Sequence, residues 1–410
     1  MAFFCSSAFA QPEPIELSVE DCVIMALDKN AAVKIAQTGI TKARGQLYEA
    51  RGALLPAIDA SHTASWTREY DQYGNKRNFN NQVALNWKIY TGGQAEGNIS
   101  QSKLLVENAG EDYRVARQST KLNAQEAYYG FLQAINLNEL NQESVERLEA
   151  HLENVMAKYR VGMVAKTDVL RSEVELANST QELIKARNNE EVSMSTLNNV
   201  INIPIDTQVT PKEELGYQVF EQDMQSAIIY ALENRPEVLR DQTSVAIAKK
   251  GISIARANQH PNIILSGAQN WLNSSYPGDD DKGWSAGVTL TFNVFDSGVT
   301  QAKVMQKKAE LQAAEETSRQ TVDNVILEVK TAYLNMLEAE KRIYTSSVAV
   351  EQAEEDYRIA GLQYNAGVST ILDILDSQVA LTQAKTNHVN ALYDFNISKA
   401  RLHRAMGIDP

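Results

Sequence analysis

Tyr159-Arg160-Val161-Gly162-Met163-Val164-Ala165-Lys166-Thr167-Asp168-Val169-Leu170 is followed 205 positions later by Tyr364-Asn365-Ala366-Gly367-Val368-Ser369-Thr370-Ile371-Leu372-Asp373-Ile374-Leu375. The same offset carries Ala26-Leu27 to Ala231-Leu232, Pro56 to Pro261, Trp66 to Trp271, Gly93 to Gly298, Ala127-Tyr128 to Ala332-Tyr333 and Leu197 to Leu402. Self-similarity sustained over that length means an internal duplication, so both halves share one plan. The first repeat occupies 11–204 and the second 220–410. Between them 205–219, with Pro211 and Gly216, reads as a linker.

Proline placement tells what each repeat is made of. There is none between Pro56 and Pro204, nor between Pro277 and Pro410, and most of both stretches is rich in strong helix formers. Gly93 to about Tyr159 predicts one helix of roughly 100 Å at 1.5 Å per residue. Leu148, Leu152, Val155 and Tyr159 recur at four-three-four spacing, and Leu170, Val174 and Ala177 continue that rhythm, which predicts a coiled-coil seam. Gly162 and Gly367 fall where each long helix must reverse, because glycine accepts the positive φ of a C-terminal cap.

Ahead of each long helix the apolar period switches to two. Val83, Leu85, Trp87 and Ile89 alternate with other residues, as do Val288, Leu290, Phe292 and Val294. These are expected strands, each preceded by another over 58–67 and 263–272, with polar loops over 68–80 and 273–283. The turn signal Pro277-Gly278-Asp279 lies in the second loop. All four tryptophans, Trp66, Trp87, Trp271 and Trp284, lie in or at the ends of these strands, where a membrane barrel places its interfacial aromatics.

Composition narrows the class. The 410 residues are 43% hydrophobic with a formal net charge of −13, which fits a packed protein and argues against a nucleic-acid partner. No window approaches the roughly 20 apolar residues of a spanning helix. Two cysteines, Cys5 and Cys22, and five scattered histidines supply no disulfide framework or metal cluster. No enzyme or cofactor motif is present, so neither catalysis nor a cofactor is expected. Residues 1–10 end in Ala8-Phe9-Ala10, the small-x-small pattern of an export cleavage site, and read as a truncated signal peptide. Cys22, on a predicted helix, is expected to be a packed residue and not a reactive thiol.

Four strands cannot close a barrel, since the smallest membrane barrels use about eight. Two copies would give eight strands and a filled bore; three would give twelve and an open passage. The order helix, Pro, strand, loop, strand, Gly, long helix, Tyr-x-x-Gly, returning helix, given twice, resembles the TolC-like outer-membrane efflux protein family. The resemblance covers essentially the whole mature chain. It implies a mixed, mainly α fold: duplicated coiled-coil hairpins in a trimeric α-barrel, with four strands per chain in a 12-stranded outer-membrane β-barrel. It also implies a homotrimer in the outer membrane, in contact with outer-membrane lipid and extending through the periplasm. Its expected partners are a periplasmic adaptor and an inner-membrane efflux pump or ABC exporter, and its expected cargo is drugs, other small molecules or proteins.

Asp373 and Asp376 are three apart and share a helix face near its N-terminus. Acidic residues there are favoured by the helix dipole alone, with Ser369 the expected cap. The family resemblance implies instead an acidic ring at a closed periplasmic entrance, six carboxylates in a trimer. It further implies that Tyr364 and Asp168 hold the inner hairpin against the outer one. Arg171 stands at the first-repeat position equivalent to Asp376 and is expected to pair with Asp373 or Asp376 of a neighbouring hairpin, or else to be a solvated helix residue. The alternative to a duct is a trimeric coiled-coil tether that bridges the envelope and conducts nothing.

Overall fold

The computed structural model describes residues 14–68, 75–277 and 281–409. The export-type segment 1–10 with Cys5, and Gly278-Asp279 of the second loop, lie outside the described residues. The chain begins with β1 (Ile15–Leu17), α1 (Val19–Lys29) and α2 (Ala31–Gly52). Ser18 caps α1 through a reciprocal pair of bonds with Asp21, and Pro56 follows α2 and stops it. Strands β2 (Ala57–Arg68) and β3 (Asn75–Thr91) come next, then α3 (Gln94–Arg160) and α4 (Lys166–Val200). After β4 (Val209–Pro211) the same order returns as α5 (Met224–Asn234), α6 (Pro236–Arg256), β5 (Asn262–Asn273), β6 (Asp281–Thr291), α7 (Val299–Ala366) and α8 (Ile371–Met406). Helix α3 has 67 residues and α7 has 68, each about 100 Å long as the spacing predicts. The stretch read as a linker contributes β4, which pairs in parallel with β1.

The chain divides into two compact units, each drawing on both repeats. One comprises the chain up to Ile35 with Arg114–Arg235 and Asp323–Pro410. Its core joins Leu17, Cys22, Ala26, Ala124, Tyr128, Phe131, Leu132, Leu197, Ile201 and Val209. The duplicate positions of Cys22, Ala26, Ala124, Phe131 and Leu197 are Ala227, Ala231, Val329, Met336 and Leu402, which are buried as well. Both repeats therefore bury the same register of the same helices.

The other unit, Ala36–Tyr113 with Pro236–Val322, holds the four-stranded antiparallel sheet β2-β3-β5-β6. Pairing places Trp66 opposite Arg77, Trp87 opposite Leu265, Trp271 opposite Asn81 and Trp284 opposite Gln269. By the period of two, all four tryptophans share one face with Ile58, Val83, Leu85, Ile263, Leu265, Val288 and Leu290. The opposite face carries Ser61, Thr63, Asn78, Asn80, Gln82, Ser266, Asn270 and Thr289. Aromatics gather at both ends of the apolar face. Trp66, Phe79 and Tyr276 meet at ring distances of 5.8 to 6.3 Å, while at the helix-bearing end Trp87 Nε1 donates to the Leu54 carbonyl at 2.9 Å.

Three readings of the strands need correction. The loops are shorter than expected, because β3 begins at Asn75 and β6 at Asp281; strand pairing runs on through residues that are polar on both faces, with Arg77 opposite Trp66 and Lys282 opposite Trp271. A β-bulge between Lys88 and Tyr90 removes Ile89 from the alternation and returns Tyr90 to the tryptophan face opposite Ile263. Phe292 and Val294 lie beyond the end of β6.

Candidate functional site

The two hairpin turns are copies of one device. Gly162 adopts φ +76° and Gly367 φ +74°. In the first, the N–H groups of Gly162 and Met163 donate to the carbonyls of Tyr159 and Lys158; in the second, those of Gly367 and Val368 donate to Tyr364 and Gln363. Both are the paired C-terminal bonds that satisfy the last carbonyls of a helix, closed by a left-handed residue.

Each returning helix then starts on an aspartate three residues in. The Asp168 carboxylate accepts from the Ala165 N–H at 3.3 Å. Asp373 does more: it accepts from the Thr370 N–H at 2.7 Å and from the Thr370 hydroxyl at 2.8 Å, and its own N–H points back to that hydroxyl. Thr370, not the expected Ser369, is thus the cap, and the Ser369 hydroxyl is buried with no hydrogen-bond partner among the described residues. These donors from Thr370 hold the Asp373 carboxyl below the usual carboxylate range.

Beneath the turns Leu148, Val155, Ala360, Tyr364, Ile371, Ile374 and Leu375 form one core, with Val169 and Leu176 packed against it. The seam read for α4 is therefore on the wrong stripe. Leu170 and Val174 are 49% and 61% exposed, while Val169, Ser172 and Leu176 face inward. Tyr159 is also exposed, whereas its duplicate Tyr364 is buried.

Tyr364 sits in a polar nest that the spacing of the sequence did not reveal. Lys158 Nζ stands 4.1 Å from its ring centroid and donates to Asn365 Oδ1 at 3.1 Å, and the His151 ring lies 5.5 Å away. The Tyr364 hydroxyl has no hydrogen-bond partner among the described residues. Burial, with the Asp168 charge as a smaller cause, raises its pKa. Burial and then Lys158 lower that of His151. Asp168 and Tyr364, expected to act together, are close enough for that electrostatic coupling, yet Asp168 spends its hydrogen bond on its own helix.

The exposed stripe of α4 and the first turns of α8 enclose an open groove of about 500 Å³, lined by Leu170, Arg171, Val174, Glu175, Leu372, Leu375, Asp376 and Val379. Arg171 and Asp376, equivalent positions of the two repeats, thus bring opposite charges to one apolar groove. No ion pair joins them among the described residues. Asp373 lies three residues away on α8, engaged in the cap.

A duplicated mainly helical chain with two long hairpins and a two-faced sheet is the plan of an outer-membrane channel. The family model described as outer membrane efflux protein matches residues 23–202 and again 228–408, and the chain belongs to that family. It is 22% identical over 382 residues to the outer membrane protein TolC of Escherichia coli, covering 88% of this chain and 76% of that one. It is likewise 22% identical to the alkaline protease secretion protein AprF of Pseudomonas aeruginosa, over 89% of this chain and 79% of that one. Among solved structures, the Campylobacter jejuni CmeC outer membrane channel superposes with a TM-score of 0.83 at 20% identity, covering 95% of this chain and 85% of that one. The protein is an outer-membrane efflux channel that extends into the periplasm, and not an enzyme.

Proposed function

We propose that three copies of the chain close a twelve-stranded barrel, and that the hairpin turns form its gated periplasmic entrance. The sheet supports this reading, because β2 and β6 are edges with no strand partner among the described residues, and an unpaired edge is completed by another strand. The tryptophan face then meets outer-membrane lipid and the amide- and hydroxyl-bearing face lines the passage. Energy comes from an inner-membrane efflux pump or ABC exporter, coupled through a periplasmic adaptor. The cargo is small molecules such as drugs, or secreted protein, the latter in keeping with the name of AprF.

The observation that carries the gate is the groove in which Arg171 and Asp376 flank an apolar floor left open among the described residues. In the closed assembly Arg171 takes an acidic partner from a neighbouring hairpin. Asp376 is the carboxylate available to the entrance, while Asp373 keeps the helix start in place. Single-channel conductance in a planar bilayer tests this. Arg171→Ala should enlarge the openings, and Asp376→Asn should weaken cation selectivity. A trimer that inserts and conducts in neither variant would favour the envelope tether; an unchanged closed state in Arg171→Ala would remove the latch.

A further inference from the structure

Where α6 ends and α7 begins, a second cavity of about 270 Å³ is lined by Arg256, Gln259, Gln301, Val304, Met305 and Lys308. We infer that it binds the phosphate headgroup of an anionic phospholipid in the periplasm-facing leaflet of the outer membrane. Arg256 is the last residue of α6 and Gln259 belongs to the single 3-10 turn after it. Gln301, Val304, Met305 and Lys308 recur at three- and four-residue spacing and so share one face of α7. The lining brings together two cations and two amides with no carboxylate, in a chain with 52 acidic and 39 basic residues. Neighbouring Lys307 is paired with Glu310 at 2.8 Å, whereas Lys308 has no ion pair among the described residues.

Position selects the ligand. Strand β5 begins at Asn262, three residues beyond Gln259, and α7 begins at Val299, two residues before Gln301. Gln259 therefore lies within about 10 Å of the start of β5, and Lys308, nine residues into α7, about 14 Å from the start of that helix. Trp87 and Tyr90 mark that end of the apolar face. Basic pockets beside membrane-spanning segments bind anionic lipid headgroups. Val304 and Met305, the latter 70% exposed, put apolar surface beside the cations, as an amphiphile requires and a free anion does not. The volume admits a headgroup and falls short of the pockets that hold drug-sized cargo.

The inference rests on the channel reading for the orientation of the sheet in the membrane. The delipidated, detergent-purified oligomer is titrated with phosphatidylglycerol, phosphatidylcholine or soluble glycerol 3-phosphate and followed by native mass spectrometry. The parent should prefer phosphatidylglycerol over phosphatidylcholine by about tenfold. Arg256→Gln with Lys308→Gln should erase that preference, and Lys303→Gln, also on α7 but outside the cavity, should keep it. Should the double variant fail to assemble, Lys308→Gln alone, on an exposed helix face, should lower the preference severalfold. Equal binding of the two lipids, or equal loss in the Lys303 variant, would overturn the site. Equally tight glycerol 3-phosphate would replace the lipid by a soluble phosphate ester. Conductance of the same preparation is read separately: a parent that never inserts defeats the channel reading, and one that conducts without a lipid preference defeats this site alone.

Discussion

At the start of α8 a hydroxyl and a carboxylate satisfy each other's backbone: Thr370 accepts from the Asp373 N–H while Asp373 accepts from the Thr370 N–H. Removing the cap by Thr370→Ala should cost about 1 kcal/mol locally. Amide exchange over 371–375 should then quicken about fivefold. Because the folded-state pKa of Asp373 is depressed, its contribution is fully present above the unfolded carboxylate pKa and is lost as pH falls through the folded value. Exchange at this turn, corrected for its intrinsic pH dependence, should rise through that acidic window in the parent and stay flat there in Asp373→Asn. Cys22 gives a second check at the same scale. It is fully buried and its thiol is pushed up to about 12, chiefly by burial, so the native protein should resist maleimide that labels it at once in denaturant.

Among the elements, glycines separate turns that merely need a left-handed backbone from junctions that also need space. A side chain at Gly162 or Gly367 would meet nothing within 4 Å. Substitution by Ala there should cost only the backbone strain, about 1 kcal/mol each, seen as faster protease nicking at the hairpin turns. Gly92 combines φ +66° with an Ala257 carbonyl oxygen 2.4 Å from the added Cβ. Gly92→Ala must therefore shift backbone where β3 passes into α3. Its oligomer yield after detergent extraction should collapse, while Gly367→Ala assembles normally.

Much at this scale was legible in the sequence, because Pro56, Pro261, Gly162 and Gly367 punctuate long helices with few other breaks. What escaped did so for physical reasons. Asn75 to Asn80 look like loop because polar residues there fall on both faces of the strand, Arg77 sitting opposite Trp66, and leave only Phe79 apolar. Ile89 fails the alternation because one extra residue flips every side chain beyond it. Helix α4 carries two apolar stripes, and spacing alone does not say which one the chain uses for itself: Val169 and Leu176 pack inward, while Leu170 and Val174 are left for the groove. The nest around Tyr364 was invisible because Lys158, His151 and Asn365 are brought together by the hairpin and by no motif.

For the whole molecule, the duplication explains why one chain holds like-built hairpins with unlike surfaces. Offset by 205, Tyr159 is exposed where Tyr364 is buried, and Arg171 answers Asp376. If three chains close the barrel, cysteine pairs scanned across β2 and β6 should oxidise to a ladder ending at three chains. A ladder ending at two would require the filled, eight-stranded alternative.

If it lines the passage as proposed, the sheet face bearing Ser61, Thr63, Asn78, Asn80, Gln82, Ser266 and Asn270 has a consequence for traffic. Hydroxyls and amides offer a passing molecule bonds no better than those of the water it gives up. A wall of this kind retains its solutes weakly, as an unreactive column packing does. Retention time inside the bore should then vary little with the chemical nature of the solute. Choice among solutes falls to whatever loads the entrance, and the outer stretch of the route is left to be fast and indiscriminate.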